Sequence, residues 1–386
     1  MDFSTTPEQD LLRKTAREFV DKEISPHVDA WEDSGQIPDE VVRKLGRLVI
    51  LGAPIPVEYG GAGLDAVSYA MLTEEIARGC SSLRTTISVN TSLFGQTVNI
   101  FGSDAQKRLW LPAICTGEKR GAWALTEHHS GSDAAGLRTS ARRDGEHWVL
   151  DGTKMWISDG DRADHVVVFA RVNTWDPKRK REGISVFVVD KGTPGFKIGS
   201  VEVNKKLGLR ASHSAELIFE GCRVPLANLV GREGQGWDIA NAILQKGRLS
   251  VAAGAIGIAQ RAFELALDYA KRREAFGQAI GRFQLVQEHL AYMAIDVETS
   301  RLLVLRAAWL GDQGLDNSLA VSMAKLHAAE ACMRVTERAV QIHGGNGYSA
   351  EYVVERLFRD AKICGIYEGT NEIQKVIIGG KLTGAR

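Results

Sequence analysis

His165-Val166-Val167-Val168-Phe169-Ala170 and Ile184-Ser185-Val186-Phe187-Val188-Val189 are the stretches on which the fold turns. Short and dense in β-branched and aromatic residues, they read as strands in a chain otherwise patterned for helix. Working outward, Trp148-Val149-Leu150 and Ala215-Glu216-Leu217-Ile218-Phe219 share this texture. The turn signals Asp144-Gly145, Asp151-Gly152 and Thr193-Pro194-Gly195 separate the runs. Between the two opening stretches, Asp176-Pro177-Lys178-Arg179-Lys180-Arg181-Glu182 is a basic run, expected to be a solvated hairpin loop rather than a phosphate site.

Either side of this region the period changes. Pro7-Glu8-Gln9 opens an amphipathic run with Leu11, Leu12, Ala16, Phe19 and Val20 near helical spacing. Pro54, Pro56 and the Gly60-Gly61-Ala62-Gly63 cluster then break the chain, and helices are expected again over 67–78 and 104–110. Beyond the strands, 269–273, 283–308 and 317–341 carry helix formers and apolar residues at helical spacing. The expected order is a helical part over 1–120, a β part over 121–232 and a helical part over 233–386.

Composition narrows the function. With 386 residues and 44% hydrophobic content, the chain can bury more than one core. Its 48 basic and 48 acidic residues cancel, so no global field draws it to nucleic acid or to an anionic membrane. Five scattered cysteines without a CxxC pair suit a reducing cytosol and argue against a disulfide framework or a zinc site. The opening Met1-Asp2-Phe3-Ser4 soon turns charged, so no signal peptide is expected. No apolar run approaches the roughly 20 residues that span a bilayer. A soluble, cytoplasmic enzyme acting on a small molecule is the expectation.

The chemistry centres on Ile366-Tyr367-Glu368-Gly369-Thr370-Asn371-Glu372. A carboxylate wedged between an aromatic and a Gly-Thr turn can do all the acid/base work if a cofactor takes the electrons; alone, it could equally cap a helix end. Four other segments stand out. Ala122-Trp123-Ala124-Leu125-Thr126-Glu127-His128-His129-Ser130-Gly131-Ser132-Asp133 places small and hydroxylated residues after a strand, which suits close approach to a flat polar ring or a phosphate. Lys154-Met155-Trp156-Ile157-Ser158 sets an aromatic and a hydroxyl two apart on one strand face, either as core or beneath a ring. Gln341-Ile342-His343-Gly344-Gly345-Asn346-Gly347-Tyr348 ends a long helix with glycines that permit close approach, without being a Walker or Rossmann motif. Arg272-Arg273-Glu274-Ala275-Phe276-Gly277-Gln278, followed by Phe283-Gln284, can present a guanidinium to a pyrophosphate, though paired arginines are commonly surface charge. No Ser-His-Asp order appears, and no metal site is expected.

All these segments, in this order, resemble the acyl-CoA dehydrogenase family over essentially the whole chain. The resemblance implies an α+β, mainly α fold: an N-terminal helical domain, a small middle β-barrel or sandwich, and a C-terminal four-helix bundle. It implies FAD as cofactor and Glu368 as the base that removes the α-proton of an acyl thioester while the β-hydride passes to flavin N5. Trp123, Leu125, Thr126, Gly131 and Ser132 match the segment along the flavin ring, and Trp156, Ile157 and Ser158 match the facing strand. Arg273, Phe276, Phe283 and Gln284, with Gln341, Gly344 and Gly345, match residues that reach the FAD of a neighbouring subunit. Thr370, Asn371 and Glu372 match residues that close over the cofactor. Ser132, Arg248, Tyr367 and Gly369 fall on the substrate side. A homo-oligomer, a dimer of dimers, follows from the same resemblance, as does electron-transfer flavoprotein as acceptor.

A carboxylate of ordinary pKa, roughly 4.3, is a weak base for a carbon acid, so burial is expected to raise it. In the family, the enolate is held by the N–H of the base and by the cofactor's ribityl chain. Some members carry the base on the helix around Gln245-Lys246-Gly247-Arg248; here that position is Gly247, leaving Glu368. Two departures stand out: His128-His129 replaces the usual Pro-Gly, and Gln245 replaces a common Asp.

Arg84-Thr85-Thr86-Ile87-Ser88 resembles the segment of glutaryl-CoA dehydrogenases whose arginine and serine bind a distal carboxylate, with Arg84 and Ser88 matching that pair. Substrates therefore range over short, branched and dicarboxylic acyl-CoA. Cys80-Ser81-Ser82-Leu83-Arg84 also resembles dehydrogenases of carrier-protein-tethered acyl units. An acyl-CoA oxidase and a non-catalytic flavin-binding scaffold complete the alternatives.

Overall fold

The computed structural model describes residues 4–173, 176–203 and 205–385. The first three residues, which open the stretch read for a signal peptide, lie outside them. Among the described residues the first helices are α1 (Pro7–Phe19), α2 (Val28–Ser34), α3 (Asp39–Arg47), α4 (Ala66–Gly79), α5 (Ser81–Ile87), α6 (Gln96–Phe101) and α7 (Asp104–Thr116). α1 starts at a capping box: the Thr6 hydroxyl accepts the Gln9 N–H, the Gln9 side chain accepts the Thr6 N–H, and Pro7 fills the first helical position. α5, the π-helical stretch Ser88–Gly95 and α6 had no counterpart in the expected helices. Almost every residue from 81 to 98 is buried, so this rod runs through the interior and shows no apolar stripe for the eye to follow.

The middle of the chain forms an eight-stranded sheet: β1 (Gly121–Ala124), β2 (Ser140–Asp144), β3 (His147–Ser158), β4 (His165–Arg171), β5 (Ile184–Asp190), β6 (Phe196–Glu202), β7 (Ser214–Pro225) and β8 (Leu229–Val230). Its order is β6-β7-β3-β2-β4-β5-β8, with β1 parallel to β4. The two stretches that open the sequence reading are β4 and β5, paired antiparallel from His165–Asp190 to Arg171–Ile184. β2 joins β4 through the single pair Ser140–Arg171. The sheet therefore consists of two halves meeting at a seam and packed on each other, as the 5.3 Å contact between the Trp148 and Phe187 rings shows.

The last part is α8 (Gly236–Arg272), a hairpin of β9 (Glu274–Ala275) and β10 (Gln278–Ala279), α9 (Gln284–Asp312), α10 (Ser318–His343), α11 (Val353–Ala361) and α12 (Asn371–Leu382). The helix expected over 269–273 is the last turn of the 37-residue α8. α8 buries an Ala/Gly/Ile-rich stretch and lies against α4 so closely that a Cβ on Gly257 would sit 2.2 Å from the Glu74 carbonyl oxygen. This contact docks the N-terminal helices onto the C-terminal bundle and brings α5 beside the turn that carries Glu368.

Candidate active site

A cleft of about 810 Å³ is walled by the sheet, by α5 and its π-helical continuation, and by α8, α10 and α12. Glu368 projects into it from the turn before α12. Its φ is +52° and that of Gly369 is +94°; a left-handed non-glycine residue costs about 1–3 kcal/mol, so the surroundings must hold it. They do so through carbonyl oxygens. Arg248 Nε donates to the Glu368 carbonyl at 3.3 Å, while Lys325 Nζ at 2.8 Å and Gln374 Nε2 at 3.1 Å donate to that of Gly369. Thr370 then caps α12, its hydroxyl accepting the Ile373 N–H.

The Glu368 carboxyl is buried, and its Oε2 has no hydrogen-bond partner. Burial lifts its pKa to about 7, against the pull of Arg84, Arg248 and Lys325 toward the charged form. A Cβ on Gly247 would lie 1.6 Å from that same Oε2. Gly247 is therefore more than a position that lacks a base: no side chain fits there while Glu368 holds its place.

Arg84 lies on α5 with 3% of its surface exposed. Its Nη2 donates to Thr85 Oγ1 at 3.2 Å and to the Tyr367 hydroxyl, and the guanidinium sits 5.4 Å from the Tyr367 ring centroid. Burial works against its charge, but Tyr367, Cys364 and Glu368 together hold it above the usual guanidinium range. Among the described residues, no carboxylate forms an ion pair with it. Ser88, a helical turn away, shares a 3.1 Å hydrogen bond with Ser250. Arg84 and Ser88 line the cleft, together with Tyr367 and Gly369.

The sheet side brings together Trp123, Leu125, Thr126, Gly131, Ser132, Trp156, Ile157 and Ser158. One expectation needs correcting here. Trp156 and Ser158 do not share the face of a regular strand, because β3 carries an extra residue between its pairs Lys154–Leu217 and Ile157–Ala215. This bulge puts Trp156 at φ +61° and leaves it 57% exposed at the cleft. Buried Lys154 anchors the bulge, donating to the Leu125 carbonyl at 3.1 Å and to Glu127 at 2.8 Å. The basic run is also corrected in part. It is the β4–β5 hairpin loop, but Lys180 and Arg181 line the cleft, with Arg181 5.2 Å from the Trp237 ring centroid. His128 and His129 stay outside the lining and meet Glu216 at 3.1 Å and Glu127 at 3.4 Å. No cluster able to hold a metal occurs among the described residues.

The remaining candidates lie away from this cleft. Arg273, Phe276, Phe283 and Gln284 surround the β9–β10 hairpin, where Phe276 is 95% exposed at φ +53° and meets only the edge of the Phe283 ring. Gln341, Gly344 and Gly345 end α10 on the surface; a Cβ on either glycine would meet nothing within 4 Å. Thr370, Asn371 and Glu372 form the first turn of α12, with Asn371 Oδ1 3.4 Å from Lys325 Nζ. Lys325, Gln374 and the steric role of Gly247 were missed. A lysine inside a helical period carries no mark of burial, and a glycine's neighbour across the fold is not written beside it.

This site fits a flavin. An exposed indole, a row of hydroxyls and Gly131, whose missing side chain leaves open space, form a wall suited to a broad polar ring, and Trp123 Nε1 is buried without a partner. Together with the helix–sheet–helix order, this places the protein among the flavoprotein oxidoreductases.

The acyl-CoA dehydrogenase N-terminal, middle and C-terminal domain profiles match residues 6–118, 122–222 and 234–383. The chain belongs to the acyl-CoA dehydrogenase family, and its cofactor is FAD. It is 43% identical over 382 residues to the short-chain specific acyl-CoA dehydrogenase of Clostridium acetobutylicum, covering 99% of this chain and 100% of that one. A chain in a structure of the electron transferring flavoprotein of Acidaminococcus fermentans superposes with TM-score 0.95 at 41% identity, covering 99% of both. A glutaryl-coenzyme A dehydrogenase in complex with glutaryl-CoA superposes with TM-score 0.96 at 38% identity, covering 100% of this chain and 98% of the other. No helix among the described residues is long and apolar enough to cross a membrane.

Proposed function

We propose that this enzyme desaturates a short acyl-CoA thioester at the α,β-bond, with Glu368 removing the α-proton. The observation that carries this reading is the buried Glu368 carboxyl, raised to about 7, whose Oε2 faces the cleft without a partner. FAD supplies the hydride acceptor for the β-carbon. Trp123, Leu125, Thr126, Gly131, Ser132, Trp156, Ile157 and Ser158 hold it on the sheet side, while Arg248, Tyr367 and Gly369 shape the substrate side. The Glu368 N–H donates to the thioester oxygen as the enolate forms. A short chain is supported by the relative's short-chain specificity and by the polar floor that Arg84 and Tyr367 make.

A distal carboxylate on the acyl group is a second reading, favoured by Arg84 itself: a buried guanidinium that lines the cleft and has no carboxylate partner. Domain division at 120/121 and 232/233, a dimer of dimers and electron-transfer flavoprotein as acceptor belong to the same proposal. The exposed apolar residues Leu285, Tyr292, Ile295, Leu302 and Trp309 of α9 support self-association.

The test is anaerobic flavin bleaching by butyryl-, isobutyryl-, isovaleryl-, octanoyl- and glutaryl-CoA, on wild type and on Arg84→Ala. Bleaching by butyryl-CoA at the same rate in both proteins gives a monocarboxylic substrate. Bleaching by glutaryl-CoA that disappears in Arg84→Ala gives the dicarboxylic one. A panel that leaves FAD oxidised throughout rejects free acyl-CoA in favour of a carrier-tethered substrate, and fast reoxidation in air marks an oxidase.

A further inference from the structure

We infer that Lys325 is a positioning residue, which pins the turn bearing Glu368 through the Gly369 carbonyl and sets the charge around the base. The inference rests on Glu368 being the base. Lys325 lies in the middle of α10, fully buried, where a cation is costly and is kept only for a partner. Its hydrogen-bond partners are the Gly369 carbonyl at 2.8 Å and Asn371 Oδ1 at 3.4 Å, and among the described residues no carboxylate pairs with it. The Gly369 carbonyl also takes Gln374 Nε2 at 3.1 Å, and the neighbouring Glu368 carbonyl takes Arg248 Nε at 3.3 Å. Three buried donors from three helices thus fix two consecutive peptide planes in a left-handed turn. The Glu368 N–H and carboxyl remain for the substrate.

The charge matters as much as the bonds. The groups facing the Glu368 carboxyl are Tyr69 from α4, Arg84 from α5, Arg248 from α8 and Lys325 from α10, with Tyr367 on its own turn. Those facing Lys325 are Cys364, Glu368, Arg248 and Glu372, and its own pKa falls to about 8 because it is buried. Lys325 is therefore cationic over the lower part of the range in which Glu368 ionises, and there it favours the carboxylate.

The test is the pH profile of anaerobic flavin reduction by butyryl-CoA and glutaryl-CoA in the holoenzymes of wild type, Lys325→Gln, Lys325→Met and Glu368→Gln, with FAD content as the folding control. Lys325→Gln keeps a donor but no charge: its midpoint moves to higher pH, with a plateau within about tenfold of wild type. Lys325→Met loses both, and its plateau falls about a hundredfold. If either variant failed to retain FAD, Gln374→Leu, which strips the other donor from the same carbonyl, would carry the plateau test. An unshifted midpoint in Lys325→Gln, or a wild-type plateau in Lys325→Met, overturns the inference while a dead Glu368→Gln leaves the base intact. A live Glu368→Gln would instead overturn the reading on which it stands.

Discussion

The Tyr367–Glu368–Gly369 turn and the β9–β10 hairpin are both short irregular segments with a left-handed non-glycine residue, yet their surroundings are opposite. Glu368 is enclosed: its backbone and that of Gly369 take three donors from α8, α10 and α12, and its carboxyl is buried. Phe276 stands 95% exposed with one aromatic neighbour. Strain of about 1–3 kcal/mol persists only where something holds it. For Glu368 the holder is visible within one chain. For Phe276, and for the bare glycines at the end of α10, it is not. One chain encloses the proposed base fully, whereas the residues proposed for the outer contacts to the cofactor call for something beyond it, in keeping with the proposed dimer.

The sharpest way to break this comparison is Glu368→Gln. The amide keeps the shape and loses the base, so the rate of flavin reduction falls about a thousandfold or more with FAD content unchanged; a wild-type rate would remove Glu368 from the chemistry. Next comes Gly247→Ala. Its methyl would enter space within 1.6 Å of Glu368 Oε2, so the carboxyl must move and kcat/KM falls about a hundredfold.

A smaller effect follows from pH. Glu368 acts as carboxylate, and with its pKa near 7 the base form accumulates as pH rises. Wild-type kcat/KM at pH 6 is then about tenfold below its alkaline plateau. A midpoint near 4 would mean that the turn is open to water, and the contrast with the hairpin would collapse. Phe276→Ala is the mildest. Melting temperature at high protein concentration stays put, because the ring packs on little within its chain. Retention of FAD weakens about threefold to tenfold, the worth of one aromatic contact. If thermal stability fell and FAD retention did not, the ring would be part of its own chain's core.

What could be read in advance followed the physics of pattern. β4 and β5 were legible because β-branched density marks a buried strand, and α7, α9 and α10 because one face of each is apolar. The rod from α5 to α6 was illegible for the opposite reason: buried all round, it has no period. Glu368 was marked by its odd setting between Tyr367 and Gly369, and Arg84 by family resemblance rather than by any local rule. The bulge at Trp156, the swing of Lys180 and Arg181 to the cleft, and the burial of Lys325 depend on contacts between residues far apart in the chain. No local spacing encodes those.

The clash between Gly247 and Glu368 also bears on how such a site can change. A base carried near position 247, as the family resemblance implies for some members, would need that volume empty on the other side, as this chain leaves it empty at Gly247. A lineage passing from one arrangement to the other by single substitutions meets either a protein with both side chains, which collide, or one with neither, which has no base. The two codons are thus bound together as an epistatic pair, and neither can be interpreted in an alignment without the other.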